Sequence, residues 1–182
     1  MSKNMLAGGR GYLAGPITYV DDDGVTWRRQ VKEEVINRKI PIEFFDPTDK
    51  PKGLGSEIGF EKNKAVEWKR NGEFDKLSRH VKDYRRLDLR MVDNSQFLVI
   101  KINLDIYTLG SHDELITAER QCKPIFAIVD QGKEHAPDWL FAIAKHEEIF
   151  NTVEEWLDYM GKLNDGIIPL DKRWVLYDGK FI

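Results

Sequence analysis

Two hydrophobic periods alternate along the chain. Short apolar runs stand at residues 11–14, 40–45, 97–100 and 124–129, and each ends at a turn former or a polar segment. Such runs read as strands. The first, Gly11-Tyr12-Leu13-Ala14, enters the tight turn Gly15-Pro16. The second stops at Asp46-Pro47, since the residue before a proline is driven to extended backbone. Phe97-Leu98-Val99-Ile100 has no polar alternation, the pattern of a strand buried on both faces.

Between the runs, apolar positions recur every three or four residues, which predicts helices. Trp27, Val31 and Val35 follow Thr26, a residue suited to cap them. Leu77, Val81, Tyr84, Leu87 and Met91 form one stripe within a helical pattern over 61–92, broken at Asn71-Gly72. Residues 111–121 read as a helix, and Pro137 opens another that runs to Ala144. Thr152 and Glu155 make a capping box ahead of Trp156 and Leu157. Residues 47–60 carry Pro47, Pro51, Gly53, Gly55 and Gly59 and read as a long loop, a kind that is often functional. The aromatic-rich segment 173–182 is expected to pack down against the fold.

Alternating strand and helix predicts one α/β domain over 1–182: a doubly wound, Rossmann- or flavodoxin-like parallel sheet with helices on both faces. Ligands in such folds sit beyond the carboxyl ends of the strands. That directs attention to Gly15, Pro16 and Ile17, to Asp46 and Pro47, to residues 103–114 and to the loop after Val129.

Composition narrows the classes. The 182 residues include 28 basic and 31 acidic side chains, a net charge of −3, so nothing favours duplex nucleic acid as a partner. The basic stretch 76–90 is interrupted by Asp83 and Asp88 and reads as a solvated helix face. No apolar run is long enough to span a bilayer, no signal-peptide core is visible, and the single cysteine excludes an internal disulfide; a cytoplasmic protein without a membrane partner is expected. Cys122 reads as a packed thiol, and the core is the expected place for Trp139, Trp156 and Trp174. The four histidines form no i, i+4 pair, so no metal site is expected, and lone His112 reads as structural. Residues 9–14 formally fit a dinucleotide fingerprint, but no strand precedes them and no helix opens inside them, so no nucleotide cofactor is expected.

The most suggestive constellation is acidic. Asp88 lies near a helix end, Asp105 follows the buried third strand, and Glu114 lies early in the helix after Gly110. A carboxylate near a helix N-terminus is expected to stay ionised, as a nucleophile must. Paired carboxylates are the equipment for breaking a glycosidic bond. Spacing alone favours the plainer reading, in which both only cap helices and decorate the surface.

The ordered motifs add to this. Residues 12–17 (Tyr-Leu-Ala-Gly-Pro-Ile), Asp88 ahead of the 97–100 strand, residues 109–115 (Leu-Gly-Ser-His-Asp-Glu-Leu) and residues 177–182 (Tyr-Asp-Gly-Lys-Phe-Ile) together resemble the nucleoside 2-deoxyribosyltransferase family in a divergent, phage-type form. Phe45-Asp46-Pro47 and Thr26-Trp27-Arg28 add to the likeness. The resemblance implies Glu114 as nucleophile, Tyr12 as its support and Asp88 as the group at the base. It implies Gly15, Pro16, Ile17, Asp46, Pro47, Asp105, Gly110 and Ser111 around the substrate, and a C-terminal tail that closes the site. It further implies a nucleoside or nucleotide and a free nucleobase as partners, no cofactor, a covalent deoxyribosyl-glutamate intermediate and a homo-oligomer. Two alternatives stay open: an N-glycosidase acting on 2-deoxynucleosides or their 5′-monophosphates, with Arg28 or Arg29 nearest to a phosphate, and a catalytically silent nucleotide-binding module.

Overall fold

The computed structural model describes residues 3–51 and 56–174. Strands β1 (Gly9–Ala14), β2 (Ile42–Phe45), β3 (Phe97–Ile102), β4 (Ile125–Val129) and β5 (Ile149–Phe150) form one sheet in the order β2-β1-β3-β4-β5. Every pairing is parallel, with Tyr12 opposite both Phe45 and Leu98. The helices are α1 (Val25–Asn37), α2 (Gly59–Arg70), α3 (Phe74–Asp93), α4 (Leu109–Arg120), the single turn α5 (Leu140–Ile143) and α6 (Val153–Asn164). The parallel doubly wound sheet expected from the alternation is therefore present. β5, only two residues long, gave no periodic signal. The C-terminal motif at 177–182 lies outside the described residues.

Strand periodicity of two divides the core into two layers. Leu13, Phe97, Val99, Phe126 and Ile128 face one side, where Trp27 and Val31 of α1 and Trp156, Leu157 and Met160 of α6 cover them. Tyr12, Ala14, Leu98, Ile100, Ala127 and Val129 face the other, under Val92 of α3 and Leu115 and Ala118 of α4. Gly11 belongs to the first side, and a side chain there would run into the Phe97 ring. This register points the Tyr12 phenol toward α4. The order of strands reverses direction between β1 and β3, so the crevice at their carboxyl ends is the topological switch point.

Several local expectations are corrected. Gly24 (φ 68°) is the N-cap of α1, and the Asp22 carboxylate, not Thr26, satisfies this end by accepting the Gly24 and Thr26 N–H groups. The helical pattern does break at Gly72 (φ 70°), but the stripe of Leu77, Val81, Tyr84, Leu87 and Met91 is only half-buried; Asp88 and Val92 are the buried positions of α3. Thr152 Oγ1 accepts the Glu155 N–H as a capping box requires, while the Glu155 carboxylate reaches back to the Asn151 N–H. Trp156 and Trp174 are core residues, but Trp139 is 77% exposed. Cys122 is exposed with φ 55°, because it forms the left-handed turn between α4 and β4, which faces solvent. The basic side chains of 76–90 are exposed, as a solvated face requires.

Candidate active site

Tyr12 and Glu114 meet at the carboxyl ends of β1 and β3. On α4, Ser111, Glu114, Leu115 and Ala118 form the buried stripe, at the three- and four-residue spacing of one helix face. That phase turns Glu114 toward the strand residue aimed at α4. The Tyr12 hydroxyl donates to Glu114 Oε1 at 2.5 Å, a short charge-assisted contact when the carboxyl is ionised. Burial pushes the Tyr12 phenol well above its ordinary range, so it remains a donor.

Glu114 is not held ionised by the helix dipole. It is the sixth residue of α4, past the first turn where the dipole acts, and it is buried. Burial raises it to about 8; the Tyr12 hydrogen bond opposes the rise, while Asp88 and Glu57 add to it. A carboxylate that ionises reluctantly keeps much of its nucleophilicity, because little solvent shields it once charged.

Asp88 lies across the crevice, on the inward face of α3. Its Oδ1 is 2.5 Å from Lys50 Nζ, and both side chains are almost fully buried. Lys50 also sits over the Tyr84 ring, 5.6 Å from its centroid. Burial raises the Asp88 pKa, opposed chiefly by Lys50. Burial and the Asp88 charge raise Glu57, from the loop ahead of α2, to about 7, against the opposing pull of Lys50 and Arg28. Sequence reasoning missed both Lys50 and Glu57. Their only signal was membership of the long 47–60 loop, since an irregular segment has no period to mark which charges turn inward.

The crevice wall is set by Arg28, which is fully buried. Its guanidinium donates to the carbonyls of Leu13 (3.2 Å), Gly15 (3.0 Å), Pro16 (3.5 Å) and Gly24 (2.8 Å). It thereby fixes Gly15, Pro16 and the buried Ile17 directly after β1. A side chain at Gly24 would collide with the Pro16 carbonyl and with this guanidinium, and its left-handed backbone suits glycine. Asp46 accepts from Thr48 N–H and Oγ1 and pairs with Lys32 at 2.8 Å and Arg28 at 3.7 Å. Its carboxylate is thus occupied in anchoring the start of the loop, with buried Pro47 beside it. At the loop's other end the Asp23 carboxylate accepts from Gly59 N–H and from Lys62 Nζ.

The remaining expected site residues separate. Ser111 is buried beside Glu114 on α4, whereas Gly110 is exposed. Asp105 is exposed, accepts from Gln131 Nε2 at 3.1 Å, and lines a second concavity of about 400 Å³ with Tyr107, Thr108, His112, Pro137 and Trp139. It is not among the charged groups acting on Glu114, which are Asp88, Glu57 and Arg28. His112 Nδ1 lies 2.6 Å from the Thr108 carbonyl oxygen, a contact within the first turn of α4. Among the described residues no group of three or more His, Cys, Asp or Glu side chains is placed to hold a metal ion.

The class defined by these features is an open, parallel α/β domain with a carboxylate-lined crevice at its switch point. No family model matches the chain, and no curated protein matches it. Solved structures do. A 2-desoxiribosyltransferase from Leishmania mexicana has a TM-score of 0.53 at 13% identity, over 85% of this chain and 97% of that one. A conserved protein from Enterococcus faecalis V583 has a TM-score of 0.47 at 17% identity, over 87% and 89%. At the level of the fold, the Leishmania structure bears out the resemblance read from the motifs. Among the described residues no helix is long and apolar enough to cross a membrane.

Proposed function

We propose that the protein transfers a 2-deoxyribosyl group between nucleobases through a covalent deoxyribosyl-Glu114 intermediate. The observation that carries this reading is the 2.5 Å contact between Tyr12 and Glu114 in a buried crevice. The Glu114 carboxylate attacks the anomeric carbon as the bond to the first base breaks, and a second base then displaces Glu114 from the opposite face, giving net retention. Tyr12 aligns the attacking oxygen and stabilises its charge. Gly15, Pro16 and Ile17 form the floor, and Asp88 faces the base side. The transferase activity named for the Leishmania neighbour is in keeping with this chemistry. Water in place of the second base makes the same site an N-glycosidase. The commitment of the Arg28 guanidinium to carbonyls and Asp46 favours an uncharged nucleoside over a 5′-monophosphate.

The test is incubation with 2′-deoxynucleosides, with and without a second free base, followed by chromatography. Exchange that needs the acceptor supports the transferase; free base released without an acceptor supports the hydrolase. Glu114→Ala must abolish either. Ligand binding without turnover, unchanged in Glu114→Ala, would instead support a silent binding module.

A homo-oligomer belongs to the same reading. Tyr107, Leu109, Trp139 and Phe141 are large apolar side chains exposed near the second concavity, where a second copy of the chain would cover them. Light scattering on wild type and Trp139→Glu tests this: an oligomer that the variant dissociates supports it, and a wild-type monomer refutes it.

A further inference from the structure

Asp88 and Glu114 are brought to one space by the packing of their helices. α3 and α4 lie side by side, clipped by Arg85 Nε donating to Asp113 Oδ2 at 2.8 Å and by Gln121 Nε2 donating to Asp93 Oδ1 at 2.7 Å. Asp88 and Glu114 lie between the two clips, and both are buried. Val92, one turn beyond Asp88 on the same helix face, packs in the core layer that holds Tyr12 and Leu115. Asp88 therefore stands on the side of α3 that faces Tyr12.

Lys50 reaches Asp88 from the loop after β2. The residue is half-buried, yet its side chain is only 3% exposed, so the backbone faces solvent and the ammonium is turned inward. Two residues earlier, Thr48 is fixed by the Asp46 carboxylate, which accepts from its N–H at 2.9 Å and its hydroxyl at 2.6 Å. Lys50 Nζ stands 5.6 Å from the centroid of the Tyr84 ring and 2.5 Å from Asp88 Oδ1. That contact is an ion pair without hydrogen-bond alignment: among the described residues neither atom has an aligned partner. An ammonium carries three N–H donors, and leaving a buried donor unmatched is costly. Arg28 in the crevice wall is spent on carbonyls and Asp46, so Lys50 is the cation there with donors to spare. A ligand that completes it must bring an acceptor oxygen or nitrogen. The carbonyl oxygen of a nucleobase is such an acceptor, and charge gathers on it when the base departs.

We propose that Lys50 selects bases that carry a ring carbonyl, such as 6-oxopurines, by pairing its ammonium with the carbonyl oxygen as the base departs. This rests on the glycosyl transfer proposed above. As a Glu114 oxygen bonds to the anomeric carbon, the carbon–nitrogen bond breaks. Its electron pair passes into the base ring and onto the carbonyl oxygen. Lys50 keeps its proton and holds the resulting anion, which takes a proton from water after release. In the second half an acceptor base gives its N–H proton to water, pairs with Lys50 as the anion, and displaces Glu114 through its nitrogen. A fixed charge placed where charge develops, in a site shielded from water, acts strongly on rate. An amino base such as adenine lacks the oxygen and gains little from it.

The experiment compares 2′-deoxyinosine with 2′-deoxyadenosine, whose bases carry oxygen and an amino group at the same ring position. Wild type is expected to turn over 2′-deoxyinosine faster. Lys50→Met is expected to lower kcat/KM on 2′-deoxyinosine by roughly 100-fold and on 2′-deoxyadenosine by less than about 10-fold, erasing the preference. Lys50→Gln, neutral but still able to donate to Asp88, carries the same comparison where Lys50→Met does not fold. Glu114→Gln is expected to lose both activities. Equal losses on the two substrates in the neutral variants, which a merely structural role would give, overturn the assignment. So does no loss on either, or a wild type that prefers 2′-deoxyadenosine. Each of these leaves Glu114 as nucleophile. Wild type inactive on both substrates, or Glu114→Gln fully active, overturns the proposed function itself.

Discussion

The Tyr12 hydroxyl donates to the Glu114 carboxylate at 2.5 Å across 102 residues of sequence. The pair joins strand β1 to α4, the helix that follows the central strand β3, and both side chains are buried. Burial makes this carboxyl costly to charge, and the hydrogen bond from Tyr12 offsets part of that cost.

That cost is measurable as a pH effect. Burial raises Glu114 to about 8, against an ordinary value of 4.5. The folded state therefore keeps a proton that the unfolded chain has lost, and stability from this group falls as pH rises from about 5 to about 8. Glu114→Gln, which stays neutral, should be more stable than wild type at pH 8 by about 1–3 kcal/mol. The gap should close toward pH 5. Denaturant titrations at both pH values check this; an equal gap at both would show that the raised pKa is wrong.

Tyr12→Phe removes the hydrogen bond that lowers the Glu114 pKa. The acid limb of the activity profile should then move to higher pH, and kcat at pH 7 should fall by roughly 10- to 100-fold. An unchanged limb would mean that the phenol does not act on the carboxylate.

Lys50 and Asp88 form a buried ion pair, and breaking one partner strands the other. Lys50→Met and Asp88→Asn should each destabilise, Lys50→Met by about 3–5 kcal/mol. The double variant should lose much less than the sum of the two. Additive losses would show that the two side chains do not interact in solution.

Arg28→Met leaves the Leu13, Gly15 and Gly24 carbonyls without their donor and removes one partner of Asp46. A loss of about 3 kcal/mol or more is expected, lowering the melting temperature by roughly 6–12 °C for a chain of this size. Arg28→Lys should recover little, since an ammonium cannot fork to carbonyls spread over Leu13 to Gly24. Full retention of stability in Arg28→Met would refute the bracing role.

Four of the five strands were legible because they are unusually plain, whereas the two-residue β5 was not. Phe97–Ile100 has the unbroken apolar pattern of a strand covered on both faces, and Gly15-Pro16 and Asp46-Pro47 mark where two strands stop. Tyr12, Asp88 and Glu114 were legible through ordered motifs, and the structure brings all three to one crevice. Asp105 was not separable from them, because sequence distance from Gly110 says nothing of the side on which a loop residue emerges. Lys50, Glu57 and the bracing role of Arg28 were hidden for a related reason. Burial of a charge depends on partners supplied by distant segments, and an irregular loop carries no hydrophobic period to announce it. Trp139 misled in the opposite sense: its apolar character suggested the core, yet it stands on the surface near the second concavity.

The most direct test of the account is to trap the intermediate. Wild-type protein is mixed with a 2′-deoxynucleoside without acceptor base, quenched in acid within milliseconds to seconds, digested and weighed by mass spectrometry. The account predicts a peptide containing Glu114 heavier by one deoxyribosyl group, absent from Glu114→Gln and discharged by added base. Turnover with no adduct at any time, or an adduct on a different side chain, would contradict it.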